Sequence, residues 1–322
     1  MSQSRHWADI AETGTAIGMR LLVLIYRLGG SWLFKICLFP VMCFYFLLRS
    51  DSRKASAEYL HRVRAKATQL PPVTLLLCFK HFWQFGLTLI DKFAVWMGKI
   101  SVEDVVLHDL ELVNERVASK KGAIFAISHL GNFEICHAIS QSHPGVKLTV
   151  LHHTKHAEKF NKVFNQYTSD STVQMLQVTE MDAALAMTLN EKVQSGEFVA
   201  IAADRVPINN PSATVACEFL GESANFPRGP YVLANALEVP ILLLVCIKQQ
   251  GTYHVFFEKL SDGSKVTRSE REAFIQKTAE KFTKRLEYYT CKEPLQWFNF
   301  YDFCQKTISS TEPSKTAPLR IK

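Results

Sequence analysis

The sequence predicts an α/β fold: a largely parallel central sheet flanked by helices, preceded by an apolar helical segment. Two observations predict it. From residue 100 onward, short apolar runs alternate with helical patterns of 10 to 15 residues, as strand–helix–strand units require. Before residue 100 the chain is dominated by long apolar and aromatic stretches. There the richness of the composition is concentrated, with 48% hydrophobic residues and 22 Phe in 322 positions. The length suits one large domain or two small ones. With no internal repeat and no long flexible linker, the expected division is a membrane-anchoring segment at 1–50, a single catalytic domain at 51–304 and a disordered basic tail at 305–322.

The N-terminal element rests on Gly29 to Leu48, an apolar run interrupted by Lys35 and Pro40, with Trp32 and Tyr45 near its ends. Its length approaches the ~20 residues needed to cross a bilayer. Residues 15–26 add a shorter apolar patch. The run starts late and no small-residue cleavage pattern follows, which argues against a cleaved signal peptide. Arg49, Arg53, Lys54, Arg62, Arg64 and Lys66 crowd the downstream side, so the remainder is expected in the cytoplasm. Arg5, Arg20 and Arg27 lie upstream, which leaves open a helix lying in the interface. Membrane association is expected, spanning or monotopic.

Val73 to Met97, with Phe79, Phe82, Trp83, Phe85, Phe93 and Trp96, has the spacing of one or two helices packed on the core. An aromatic wall for a lipid chain is the functional alternative. The expected strands are then Val105 to His108, Ala123 to Ile127, Lys147 to His152, Val173 to Gln177, Phe198 to Ala203, Pro240 to Ile247 and Tyr253 to Glu258. The expected helices are Asn132 to Gln141, Ala157 to Tyr167, Ala183 to Gln194, Gly229 to Leu237 and Arg268 to Tyr289.

Two strand ends carry chemistry. Ala123 to Ile127 runs into Ser128-His129-Leu130-Gly131-Asn132-Phe133-Glu134. A strand-to-helix junction fixes a reactive group and exposes it. Gly131 lets the chain bend and bring Glu134 towards His129, so that His129 acts as general base and Glu134 holds its tautomer. Taken alone the pair is a weak signal, since most histidines are structural. The second strand, Phe198 to Ala203, ends in Asp204-Arg205, and the two ends suggest a shared cleft. Arg205 and Arg228 suit an anionic or phosphorylated partner, because a guanidinium binds such groups through paired hydrogen bonds. The plain alternative is an ion pair closing a loop.

Other classes are disfavoured. His152, His153 and His156 lack a suitably spaced Cys or carboxylate, so no metal is expected. None of the eight cysteines forms a Cys-x-x-Cys pair, and several lie in apolar runs, as small hydrophobes in a reducing compartment do. The chain has no phosphate loop, nucleophile elbow or dinucleotide fingerprint. No cofactor and no covalent serine or cysteine intermediate is expected. The net charge of +7 suits anionic headgroups or an acidic carrier. Its basic residues form no stripe with interleaved aromatics, which argues against nucleic acid.

Ser-His-Leu-Gly-Asn-Phe-Glu resembles the His-x4-Asp/Glu block of the lysophospholipid acyltransferase superfamily, in particular the late acyltransferases of lipid A biosynthesis. Further blocks agree: Arg53 to Val63, Ala202-Ala203-Asp204-Arg205-Val206-Pro207, Phe219-Leu220-Gly221, Phe226-Pro227-Arg228-Gly229-Pro230, and Pro294 to Phe303 with its Gln296-Trp297-Phe298. The Asp204 and Trp297 blocks look most like a subgroup linked to bacterial aryl polyene lipids, and they depart from the lipid A enzymes. The resemblance spans roughly residues 15–304 and implies a glycerol-3-phosphate acyltransferase-like fold at the inner membrane of a Gram-negative bacterium.

It also implies direct acyl transfer. An acyl carrier protein or CoA thioester is the donor, and a hydroxyl or amine of a lipid or glycolipid is the acceptor. His129 and Glu134 are the catalytic pair; Gly131, Asn132, Asp204, Arg205 and Arg228 bind substrate. Backbone N–H groups near Gly131, with Arg205, are expected to hold the oxyanion. A thioesterase using the same pair, and a non-catalytic membrane interaction protein, are the rival readings.

Overall fold

A computed structural model describes residues 16–143, 145–152, 173–177, 183–206, 210 and 212–303. The expected helix at Ala157 to Tyr167, the stretch holding His153 and His156, and the terminal tail lie outside the described residues. The strands are β1 (Val105–His108), β2 (Ile124–Ile127), β3 (Leu148–His152), β4 (Val173–Gln177), β5 (Phe198–Ala202), β6 (Thr214–Phe219), β7 (Glu222–Pro227), β8 (Ile241–Gln249) and β9 (Thr252–Ser261). The helices are α1 (Ala16–Leu48), α2 (Ser50–Lys66), α3 (Leu75–Trp96), α4 (Glu111–Ala118), α5 (Ile135–Ser142), α6 (Ala183–Gln194), α7 (Gly229–Leu237) and α8 (Arg271–Lys292).

The central apolar runs become a sheet because they are buried on both faces. All four residues of β2 are buried, as are the first four of β5. Near-continuous apolar strands of this kind are stable only between two helical layers. The seven-stranded sheet has the order β1-β9-β8-β2-β5-β3-β4. Every neighbouring pair is parallel except β8 with β9. Alternate residues of β2 serve opposite layers. Ile124 and Ala126 join a core with α2, α7 and α8, whereas Phe125 and Ile127 join one with α1, α3 and α5. Phe125 stacks on Phe198 of β5 at 4.9 Å, bringing both strands into one packed layer.

Helix α8 buries Ile275, Ala279, Phe282, Leu286 and Tyr289, the three- and four-residue stripe that faces a sheet. Strands β6 and β7 form a separate hairpin, turning at Leu220 and Gly221, both with positive φ. The sequence reading took these segments as motif blocks without strand structure. Their alternation is short and broken by the turn, so the pairing shows only in three dimensions. Helix α4 was likewise missed, its eight residues giving too little periodicity.

Helix α1 departs from helical geometry at Gly30, where φ is 63°. Beyond that break Phe34, Leu38 and Met42 are buried, and Leu38 and Met42 approach Gly86 of α3. Phe34 packs on Phe93, and Phe46 on Phe79 and Phe82, so α1 lies antiparallel along α3. The opposite face is apolar and open: Leu28, Trp32 and Leu47 are 76%, 71% and 71% exposed. Leu75 and Leu76, at the start of α3, are exposed too. The 25 residues Leu24–Leu48 are long and apolar enough to cross a membrane. Arg53 donates to the carbonyls of Phe46 and Leu47, capping the end of α1 with a cation.

Candidate active site

Strands β2 and β5 are parallel neighbours, with Ile127 opposite Ala202. The ladder continues one step, Ala203 N–H donating to the Ile127 carbonyl at 2.8 Å. His129 and Asp204 therefore leave the sheet side by side, each two positions beyond the paired strand ends. Their side chains meet: His129 Nδ1 and Asp204 Oδ1 are 2.8 Å apart. The His129 backbone N–H donates to Asp204 Oδ2 at 2.8 Å. That oxygen also accepts the indole N–H of Trp297 at 3.0 Å. Asp204 is fully buried, whereas the His129 side chain keeps about a third of its surface open.

The electrostatics follow from this geometry. Burial, then the Arg205 cation, lowers the His129 imidazole below its ordinary value, against the opposing pull of Asp204. Burial alone would raise the Asp204 carboxyl. The His129 charge and hydrogen bonds, with Arg205, outweigh it and bring the carboxyl down to about 2. A carboxylate facing Nδ1 selects the tautomer with its proton there, so Nε2 carries the lone pair.

Glu134 was expected to be the partner of His129, and the structure gives that place to Asp204. Glu134 is buried at the start of α5 with Oε1 3.4 Å from Lys92 Nζ of α3. The reason is local. The chain turns at Gly131 (φ 76°) and enters α5 at Ile135, which carries Glu134 towards α3 and away from the end of β5. Lys92 also lowers the His129 imidazole, as the last and smallest of the effects on it.

Gly131 has a packing role. A Cβ there would lie 1.7 Å from the Cys246 carbonyl oxygen. The backbone amides expected to hold an oxyanion are engaged: Gly131 N–H donates to Gln296 O at 2.8 Å and Asn132 N–H to Cys246 O at 2.9 Å. Asn132 is buried, its Oδ1 accepting from Glu134 N–H and its Nδ2 lying 3.4 Å from the Tyr253 hydroxyl. That hydroxyl donates to Asp91 Oδ2, which also pairs with Lys248. Arg205 lies beside the His129–Asp204 pair, donates to the Phe298 carbonyl at 3.1 Å and faces the Tyr301 ring. Arg228 begins α7 and pairs with Glu272 at 2.6 Å, outside this cluster.

Trp297, Lys92 and the Asp91–Tyr253–Lys248 group were not read as site residues. Only Trp297 left a signal, the Gln-Trp-Phe block. That block closes over the turn carrying His129: Trp297 bridges to Leu130 in antiparallel fashion, and Phe298 N–H donates to His129 O.

A buried carboxylate, a partly exposed histidine held through its Nδ1 and a nearby guanidinium suit proton abstraction followed by stabilisation of a developing negative charge. The family model of bacterial lipid A biosynthesis acyltransferases matches residues 19–302. No curated protein matches the chain.

Proposed function

Because the chain belongs to the bacterial lipid A biosynthesis acyltransferase family, we propose that it moves a fatty acyl group from a carrier-protein or CoA thioester to a hydroxyl or amine of a membrane lipid or glycolipid. That it is an acyltransferase follows from the family; donor, acceptor and residue roles are the proposal. The observation that carries it is the contact of His129 Nδ1 with the buried Asp204 carboxylate, which leaves Nε2 as the base.

In this reading Nε2 of His129 takes the proton of the acceptor as its oxygen or nitrogen attacks the thioester carbonyl. Asp204 stabilises the imidazolium that forms. Arg205 bears the oxyanion's charge, a task the engaged amides at Gly131 and Asn132 leave to it. Collapse of the tetrahedral intermediate expels the thiolate, which regains a proton from His129. Glu134 holds Lys92 beside the base. Gly131 and Asn132 shape the loop, and Arg228 serves more distantly through α7.

The site belongs, on this proposal, to the cytoplasmic face of the inner membrane. The exposed apolar face of α1, with Leu75 and Leu76, supports insertion into one leaflet. Docking along α3 argues against a span, since α3 bears Lys80, Asp91 and Lys92. We retain 1–50 as anchor, 51–304 as catalytic unit and 305–322 as tail. The Asp204 and Trp297 blocks favour a lipid of the aryl polyene kind over lipid A as acceptor.

Mass spectrometry of total membrane lipids from the native host, wild type against His129→Ala, tests the reading. A species heavier by one acyl group, present only with the wild type, identifies the acceptor. Identical lipidomes with both proteins present in an active pathway would sink it.

A further inference from the structure

We infer that Trp297 is a positioning residue for this reaction: its indole N–H holds the Asp204 carboxylate in register with the His129 ring. The inference rests on His129 being the base.

Asp204 is fully buried, so the orientation of its carboxylate is set entirely by protein donors. Oδ2 receives two, the His129 backbone N–H at 2.8 Å and the Trp297 indole at 3.0 Å. Oδ1 faces the imidazole alone among the described residues. Two donors on one oxygen stop the carboxylate from rotating and draw charge away from the oxygen that faces the ring. The imidazolium is thereby stabilised enough to form but not enough to persist.

Trp297 is itself immobilised. The ring is 1% exposed, among Tyr59, Phe219 and Phe303. Its carbonyl meets His81 Nε2 at 3.0 Å. On one side Gln296 receives Gly131 N–H on its backbone carbonyl and clamps β8 through both backbone groups of Lys248, at 2.8 and 2.7 Å. On the other, Phe298 N–H donates to His129 O at 3.0 Å. The segment that carries the indole is thus tied to the turn that carries the base. A purely space-filling ring would not require an N–H aimed at the carboxylate that faces His129.

The test uses the full-length protein in detergent micelles and needs no substrate. Carbethoxylation of His129 by diethylpyrocarbonate, followed by mass spectrometry across pH, reads its titration midpoint. Trp297→Phe keeps an aromatic ring and removes the donor. The midpoint is expected to rise by about half a unit or more, because the unshared carboxylate charge then holds the proton more tightly. A folded Trp297→Phe with an unmoved midpoint overturns the inference.

If that variant fails to fold, the wild type answers instead. The Trp297 indole N–H resonance, assigned by replacing Trp7, Trp32, Trp83 and Trp96 in turn, should titrate with the His129 midpoint and move in Asp204→Asn. An indole signal indifferent to both overturns the inference. Neither readout depends on turnover, so active His129→Ala enzyme would remove the base without touching the Trp297–Asp204 bond.

Discussion

Gly131 lies against Cys246 so closely that a Cβ on it would come 1.7 Å from the Cys246 carbonyl oxygen. Gly131 also has φ of 76°. Gly131→Ala therefore meets both a backbone clash and a strained conformation, and is expected to lose about 3 kcal/mol or more of stability together with turnover. Gly98 is the control. It has φ of 64° with nothing near its missing Cβ, so Gly98→Ala should cost about 1 kcal/mol and leave activity intact. Denaturant unfolding with a turnover assay separates the two.

The two carboxylates should be unequal. Asp204→Asn removes the charge facing His129 Nδ1 and is expected to lower kcat by about 10²–10⁴-fold. Glu134→Gln disturbs the pairing with Lys92, away from the His129–Asp204 contact, and should cost about tenfold or less. A larger loss from Glu134→Gln would return the tautomer-holding role to Glu134.

On the proposed mechanism the rate should rise with pH through a midpoint below 6.5, the ordinary imidazole value, because His129 would act in its neutral form and is lowered by burial and then by Arg205. Near pH 7 the profile should be flat. Removing a cation raises an imidazole, so the acid limb of Arg205→Gln should move to higher pH. A limb moving down would contradict the electrostatic assignment.

His81 predicts acid instability. It is fully buried between Ser56 and the Trp297 carbonyl, and burial lowers it to about 4. The unfolded chain binds this proton more readily, so stability present above pH 6.5 is lost as pH falls towards 4. The loss amounts to about 3 kcal/mol from this group. Urea unfolding at pH 7 and pH 5 measures the slope. His81→Leu should flatten it while lowering stability at pH 7, because Ser56 and the Trp297 carbonyl lose their partner.

The proposed membrane contact should be separable from the chemistry. Replacing Trp32, Phe44, Leu47 and Leu48 by Ser should release the protein from anionic vesicles without unfolding it, since these side chains are exposed. Reporters fused at the two termini should lie on the same side. A periplasmic N-terminal reporter would establish a span.

How much of this was legible follows from which forces are local. The sheet was legible because strands such as Phe198–Ala202 are short apolar runs buried on both faces. That the two strand ends come together was legible because His129 and Asp204 both follow such runs. Which carboxylate faces His129 was not. Glu134 is five positions away in sequence but across a turn, whereas Asp204 is 75 positions away and in adjacent register. Sequence proximity stood in for strand order, which no local pattern encodes. Arg228 was grouped with the site through its motif block, yet Glu272, far along the chain, decides where its guanidinium goes.

The bond from Trp297 to Asp204 also has a consequence for biosynthesis. A chain made from its N-terminus delivers α1 first, so it can reach the bilayer while His129 still lacks the segment that closes over it. About 170 positions separate His129 from Trp297. At 5–20 residues per second their synthesis takes about 10–30 s. During that interval the nascent chain lacks the indole that fixes Asp204. The His129–Asp204 contact gains its indole donor only when the block around Trp297 threads against the turn that carries His129.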